Sequence, residues 1–256
     1  MKKQMIFPML LILISSIACQ FLLPARSGPV ITNCTDIVAA VGNTQPGDIP
    51  QHLFDTGTKE GDEFDANQYF NVLTHISMRE GYVLDYVYQN DSLGGYPLLY
   101  ARPTDQVPYA SIADISENTQ LPAFREYLEI EDVEQGYFEY VVMDIMANQF
   151  YLFWHANYND TQIICNRDEL NGIISIVNSS DFGNKLDLLQ QTKARTMKNI
   201  EPAVNLMGDV AKVQVVTFTK WGGFYRLTYT ISRGFPHTII DIQQENLVPY
   251  DCGVMF

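Results

Sequence analysis

The sequence predicts an α+β protein built mainly on antiparallel β-sheet, with a few helices packed on it. Aromatic and β-branched runs come in pairs separated by short Gly-, Asn- and Asp-rich turns, the signature of hairpins. Apolar residues at spacings of three and four are confined to a few segments between those pairs. A hydrophobic content of 46%, with 15 Tyr, 14 Phe and 2 Trp in 256 residues, supplies a real core.

Taken in order, residues 55–65 form a polar, acidic, Gly-containing loop. Asp65 is placed to cap a helix from Ala66 to about Met78, because its carboxylate can accept from a free first-turn N–H. Tyr69, Val72, Leu73 and Ile76 then share one face, and Gly81 is the stop. Tyr82–Tyr88 and Tyr96–Arg102 flank a turn at residues 90–95 and predict a hairpin. Phe138–Ile145 and Phe150–His155, on either side of Met146–Gln149, predict a second. Phe150, Leu152 and Trp154 alternate there with Tyr151, Phe153 and His155, which implies a strand covered on both faces. Val213–Thr219 and Phe224–Ile231 predict a third hairpin around Lys220–Gly223, and Thr238–Ile242 a further strand. Pro122–Leu128, Asp168–Val177 and Leu186–Arg195 are the remaining helices. A faint echo between Val141-Val142 and Val215-Val216, and between Phe150-Tyr151 and Phe224-Tyr225, reads as the common composition of β-meanders. Residues 30–256 are expected to form one domain, with a sub-boundary near residue 130.

The N-terminus carries an address. Lys2 and Lys3 precede an apolar run from Met5 to Ile17, which ends in Ser16-Ile17-Ala18-Cys19; this is the layout of a secretory signal. Ile17-Ala18-Cys19 resembles the end of a bacterial lipoprotein signal, although Ser16 stands where Leu is usual. The resemblance implies that Cys19 is acylated and becomes the mature N-terminus, with 1–18 as signal peptide and 19–29 as a membrane-proximal tether. Cleavage after Ala18 with simple secretion, and an uncleaved anchor over Met5–Leu23, are the two alternatives.

Charge and cysteine usage fit export. A formal charge of −14, with 30 Asp and Glu against 16 Lys and Arg, disfavours nucleic acid, whose binding rests on neutralised phosphates. It also disfavours adhesion to anionic lipid headgroups. Beyond Cys19 there remain Cys34, Cys165 and Cys252, which allow one intramolecular disulfide in an oxidising compartment. No spacing of Cys and His suits zinc, and no phosphate-cradling or dinucleotide motif is present, so neither metal nor cofactor is expected.

Catalytic signals are thin. His52, His75, His155 and His237 stand in no metal-spaced pair. His155 and Cys165 could form a thiol nucleophile and its base only if two strands brought them together; a core or disulfide role for Cys165 is the plainer reading. Asp55, Glu60, Asp62, Glu63 and Asp65 lack the ligand order of a calcium loop and read as a solvated acidic loop. Asn33, Asn90, Asn159 and Asn178 each open an Asn-x-Ser/Thr sequon, read as coincidence beside a bacterial-type signal. The segment Phe150–Asp160 rises above this background, since Trp154, His155, Asn159 and Asp160 combine ring and polar groups at a strand end. Trp221 is a second aromatic in a turn. These residues form the candidate ligand site, and core packing of both Trp side chains is the alternative. The resulting expectation is a lipid-anchored cell-envelope protein that binds a ligand or an envelope partner. An exported hydrolase with a site assembled only in three dimensions is the alternative.

Overall fold

The computed structural model describes residues 28–91, 94–116, 120–154 and 159–254, with the backbone alone at Asp91 and Trp154. Helix and strand occupy similar shares, and among the described residues every strand pairing is antiparallel, an α+β fold. Cys19 and the rest of the signal and tether up to residue 27 lie outside the described residues. Among the described residues, no helix is long and apolar enough to cross a membrane.

The largest sheet has five strands. Strand β8 (Val210–Thr219) pairs along one edge with β9 (Gly223–Ser232), which in turn pairs with β10 (Ile239–Pro249). Its other edge is shared by β6 (Gln162–Ile164) and β7 (Ala203–Met207). The period-two alternation of β8 decides which layer each side chain joins. Ala211, Val213 and Val215 go to one core, and Val216 and Phe218 to another on the opposite face.

The first core is closed by the helix α3 (Glu134–Met146), and the second by α4 (Arg167–Ser179) and α5 (Leu188–Thr196). Two shorter helices, α1 (Cys34–Thr44) and α2 (Gln51–Thr56), lie toward the N-terminus. A second sheet joins β2 (Tyr82–Asp91), β3 (Gly94–Pro103) and β5 (Phe153–Trp154), and a small pair joins β1 (Ile76–Met78) to β4 (Leu128–Ile130). Cys34 is bonded to Cys165, which ties the start of α1 to the segment before α4; Cys252 is a buried free thiol.

Several expectations are corrected. Residues 138–145 are not a hairpin strand but the middle of α3. Its residues Gly136 to Met143 are all buried, and a helix walled in on every side shows no polar stripe, so its sequence imitates a covered strand. The second hairpin and the echo with Val215-Val216 fall with it. Phe153–Trp154 pairs instead with Gly94–Gly95, beside the turn of the first hairpin. The helix expected over 66–78 is a short 3₁₀ helix, Ala66–Asn71, begun by the Asp65 carboxylate accepting from the Asn67 N–H. The chain then extends into β1, yet Tyr69, Leu73 and Ile76 still reach the core. Pro122–Leu128 likewise contributes only a 3₁₀ turn, Phe124–Tyr127. The first and third hairpins, the β10 strand and helices α4 and α5 follow the sequence reading, each running a few residues longer or offset at its ends.

Candidate functional site

Of the residues singled out from sequence, Asn159, Asp160 and Trp221 are fully described. His155 and residues 156–158 lie outside the described residues, as does the Trp154 side chain. Asn159 is half-buried. The Asp160 carboxylate accepts from Thr219 Oγ1 at 2.6 Å and from the Lys220 N–H at 3.3 Å. The Trp221 backbone N–H donates to the same Thr219 hydroxyl, and the Trp221 ring packs against the second core. Asp160 and Trp221 are thus brought together, but in a clasp that fastens the β6 approach to the β8–β9 turn. Cys165, held in its disulfide, has no thiol to offer as a nucleophile.

A different group converges where α2, the acidic loop and the β2–β3 hairpin meet. A cavity of about 360 Å³ is lined by Lys59, Phe64, Asp85, Tyr86, Arg102 and Tyr109, among others. At its floor Asp85 is buried in strand β2. Asp85 faces Tyr100 across the ladder, so Arg102, two residues further along β3, falls on the same face. One carboxylate oxygen accepts from Lys59 Nζ at 2.8 Å and from the Tyr86 N–H at 2.7 Å. The other accepts from Arg102 Nε at 2.6 Å and from the Tyr100 hydroxyl at 3.3 Å. Two cations thus share one carboxylate at the floor, while Glu60, Glu63 and Asp65 add further carboxylates to the lining. The Asp85 carboxylate is fully engaged and is a poor general base.

Lys59 also lies over the face of the Tyr86 ring, with its nitrogen 4.6 Å from the centroid. The Tyr86 hydroxyl is buried with no hydrogen-bond partner, and burial pushes its pKa up. Leaving a buried hydroxyl unpaired costs about 1–3 kcal/mol, so this group is the anomaly of the site.

The rim is set by Glu63. Its carboxylate accepts from the Glu60 and Gly61 N–H groups and meets His52 Nε2 at 2.6 Å. Burial pushes the Glu63 pKa up, but the bonds from Glu60, His52 and Gly61 outweigh it and hold the carboxyl below its usual range. The His52 imidazole is held above its usual value, chiefly by the bond to Glu63. His52, Asp62 and Glu63 each place one ligand atom within 4.8 Å of the others. A cation there would have to displace the donors already on Glu63, which makes the trio a loop brace.

A second histidine–carboxylate pair, half-buried His75 with buried Glu139, is unsuited to nucleophilic catalysis. His75 Nδ1 contacts Glu139 at 2.8 Å and the Thr74 hydroxyl at 3.4 Å. A base needs its orienting carboxylate and its nucleophile on opposite ring nitrogens.

Sequence reasoning missed Lys59, Asp85, Tyr86 and Arg102. A lone Asp inside the apolar run Tyr82–Tyr88 was the available signal, since a charge on a covered strand must find partners. No protein-family model matches the chain, and no curated protein or solved structure is similar to it.

Proposed function

We propose that the chain is an exported, lipid-anchored cell-envelope protein that binds a small polar ligand in the cavity over Asp85. The observation that carries the binding half is the unpartnered Tyr86 hydroxyl beside a pre-arranged Lys59–Asp85–Arg102 cluster. The cluster holds its cations in place without a ligand, so binding need not order them. Phe64, Pro108 and Tyr109 supply apolar wall, and a few fixed polar groups among apolar lining is the usual make-up of a ligand site. The export half rests on the Lys2/Lys3 start, the apolar run and Cys19, and is supported by the Cys34–Cys165 disulfide, a bond of oxidising compartments. Binding is favoured over hydrolysis because Asp85 and Glu63 are spent on internal donors.

The test has two arms. Mass spectrometry of the protein from its native host should find a diacylglyceryl group on Cys19, and a bare Cys19 or a retained Met1 rejects the anchor. Thermal shift against small carboxylic acids, amino acids and monosaccharides should find a stabilising ligand. Tyr86→Phe should then leave the unliganded melting temperature unchanged or higher, while weakening that ligand by about tenfold, the worth of one hydrogen bond. A panel without effect, or equal binding by Tyr86→Phe, rejects the site.

A further inference from the structure

Four large apolar side chains stand in water around the corner between α4 and α5. Ile176 is 70% exposed, Phe182 85%, Leu188 79% and Leu189 69%. The corner is ordered. Asp187 and Gln190 cap α5 reciprocally, Gln190 Nε2 donates to the Pro249 carbonyl, and Arg167 donates to the Arg195 and Met197 carbonyls. Within α5 only Ala194 is buried, so the helix lies on the surface with its leucines outward.

The same stretch reverses the charge of the chain. In a protein of net charge −14, residues 176–198 carry Lys185, Lys193, Arg195 and Lys198 against Asp181 and Asp187. All four cations are exposed. Lys220 and Asp251, whose backbones adjoin the corner through Cys252 and Asn184, balance one another. At about 0.1 M salt the Debye length is about 10 Å, so distant carboxylates are screened and the local excess governs what approaches.

The path of the chain places this surface near the membrane of the proposed anchor. Residues 29–31 bond to the carbonyl of Pro202 and the N–H of Val204, just past the end of α5. The part of the 19–29 tether that precedes the described residues, nine residues, reaches at most about 30 Å, and α5 itself is about 14 Å long.

We propose that this corner docks on an anionic phospholipid bilayer: Phe182, Leu188 and Leu189 enter the headgroup boundary while Lys185, Lys193, Arg195 and Lys198 meet lipid phosphates. Apolar side chains rimmed by cations are the make-up of an interfacial anchor. The surface rests on the anchored reading for its orientation, and holds the domain at the membrane with the Asp85 cavity as a separate site.

The test uses the chain from position 19 with Cys19→Ala, so that no acyl group contributes; both cores lie downstream of residue 28. It should float with vesicles of phosphatidylglycerol and phosphatidylcholine, fail to float with phosphatidylcholine alone, and be released by salt. Combining Phe182→Ser, Leu188→Ser and Leu189→Ser should lower partitioning by about tenfold or more at an unchanged melting temperature. No flotation, or equal flotation of the triple variant, overturns the proposal. So does a concentration-dependent dimer that the triple variant abolishes without any vesicle binding, which would assign the patch to a second copy. Failure of the anchored reading is scored separately, by the mass of Cys19.

Discussion

His52 and Glu63 show how one pair of side chains links pH to the stability of the rim. The His52 pKa is raised in the folded state above its ordinary 6.5, so its contribution is complete below that value and is lost as pH rises through the folded value. The Glu63 pKa is lowered from 4.5, so its contribution is present above that value and is lost as pH falls. Both contributions therefore coexist between the two ordinary values. His52→Gln should lower the melting temperature most near pH 5.5, about the middle of that window, and progressively less above neutrality. A difference between the two proteins that grows with rising pH would contradict this ion pairing. Neither partner was legible as a pair in sequence: the ten residues between them include the turn after α2, and only the fold of that turn aims one at the other.

At the scale of elements, the β8–β9 hairpin was readable because its alternation and its Trp-Gly-Gly turn agree. Gly223 closes that turn at φ +92, and a Cβ there would lie 2.1 Å from the Val248 carbonyl oxygen of the neighbouring strand. Gly223→Ala should therefore cost about 2–4 kcal/mol, combining a left-handed backbone with a clash against main chain. Gly208, at φ +53 with open space around it, is the control: Gly208→Ala should cost only about 1 kcal/mol. Chemical denaturation of both variants measures the contrast, and equal losses would mean that the approach of β10 is not what the glycine serves. Helix α3 was not readable. Tyr137, Phe138, Tyr140, Val141 and Val142 are as good for a buried strand as for a buried helix, and local preference cannot arbitrate between two environments that are both dry. Glu139, buried on that helix and bonded to His75, and Asp144, bonded to Tyr229, were the two residues out of keeping with a strand core.

At the scale of the molecule, the Cys34–Cys165 bond spans a sequence separation of 131 residues and joins α1 to the large sheet's helical layer. Closing so long a loop restricts the unfolded chain, and replacing both cysteines by Ser should cost about 2–4 kcal/mol. Cys252, 6% exposed, should react with an alkylating agent only after denaturation. Rapid labelling of Cys34 or Cys165 in the unreduced native protein would refute the pairing.

Sequence alone determined the α+β class, two of the three expected hairpins, and helices α4 and α5. Each of these is written in neighbouring residues, as a period, a cap or a turn. With Cys19 set aside, three cysteines allow one intramolecular bridge, but which two pair depends on where α1 comes to rest. Only tertiary structure decided that Asp85 would hold Lys59 and Arg102, that Asp160 would fasten the Trp221 turn, and that the leucines of α5 would face water in a cationic setting. A charge buried on a strand demands partners, and a sequence states the demand; the partners come from distant segments whose approach is fixed by burying two cores on either side of one sheet.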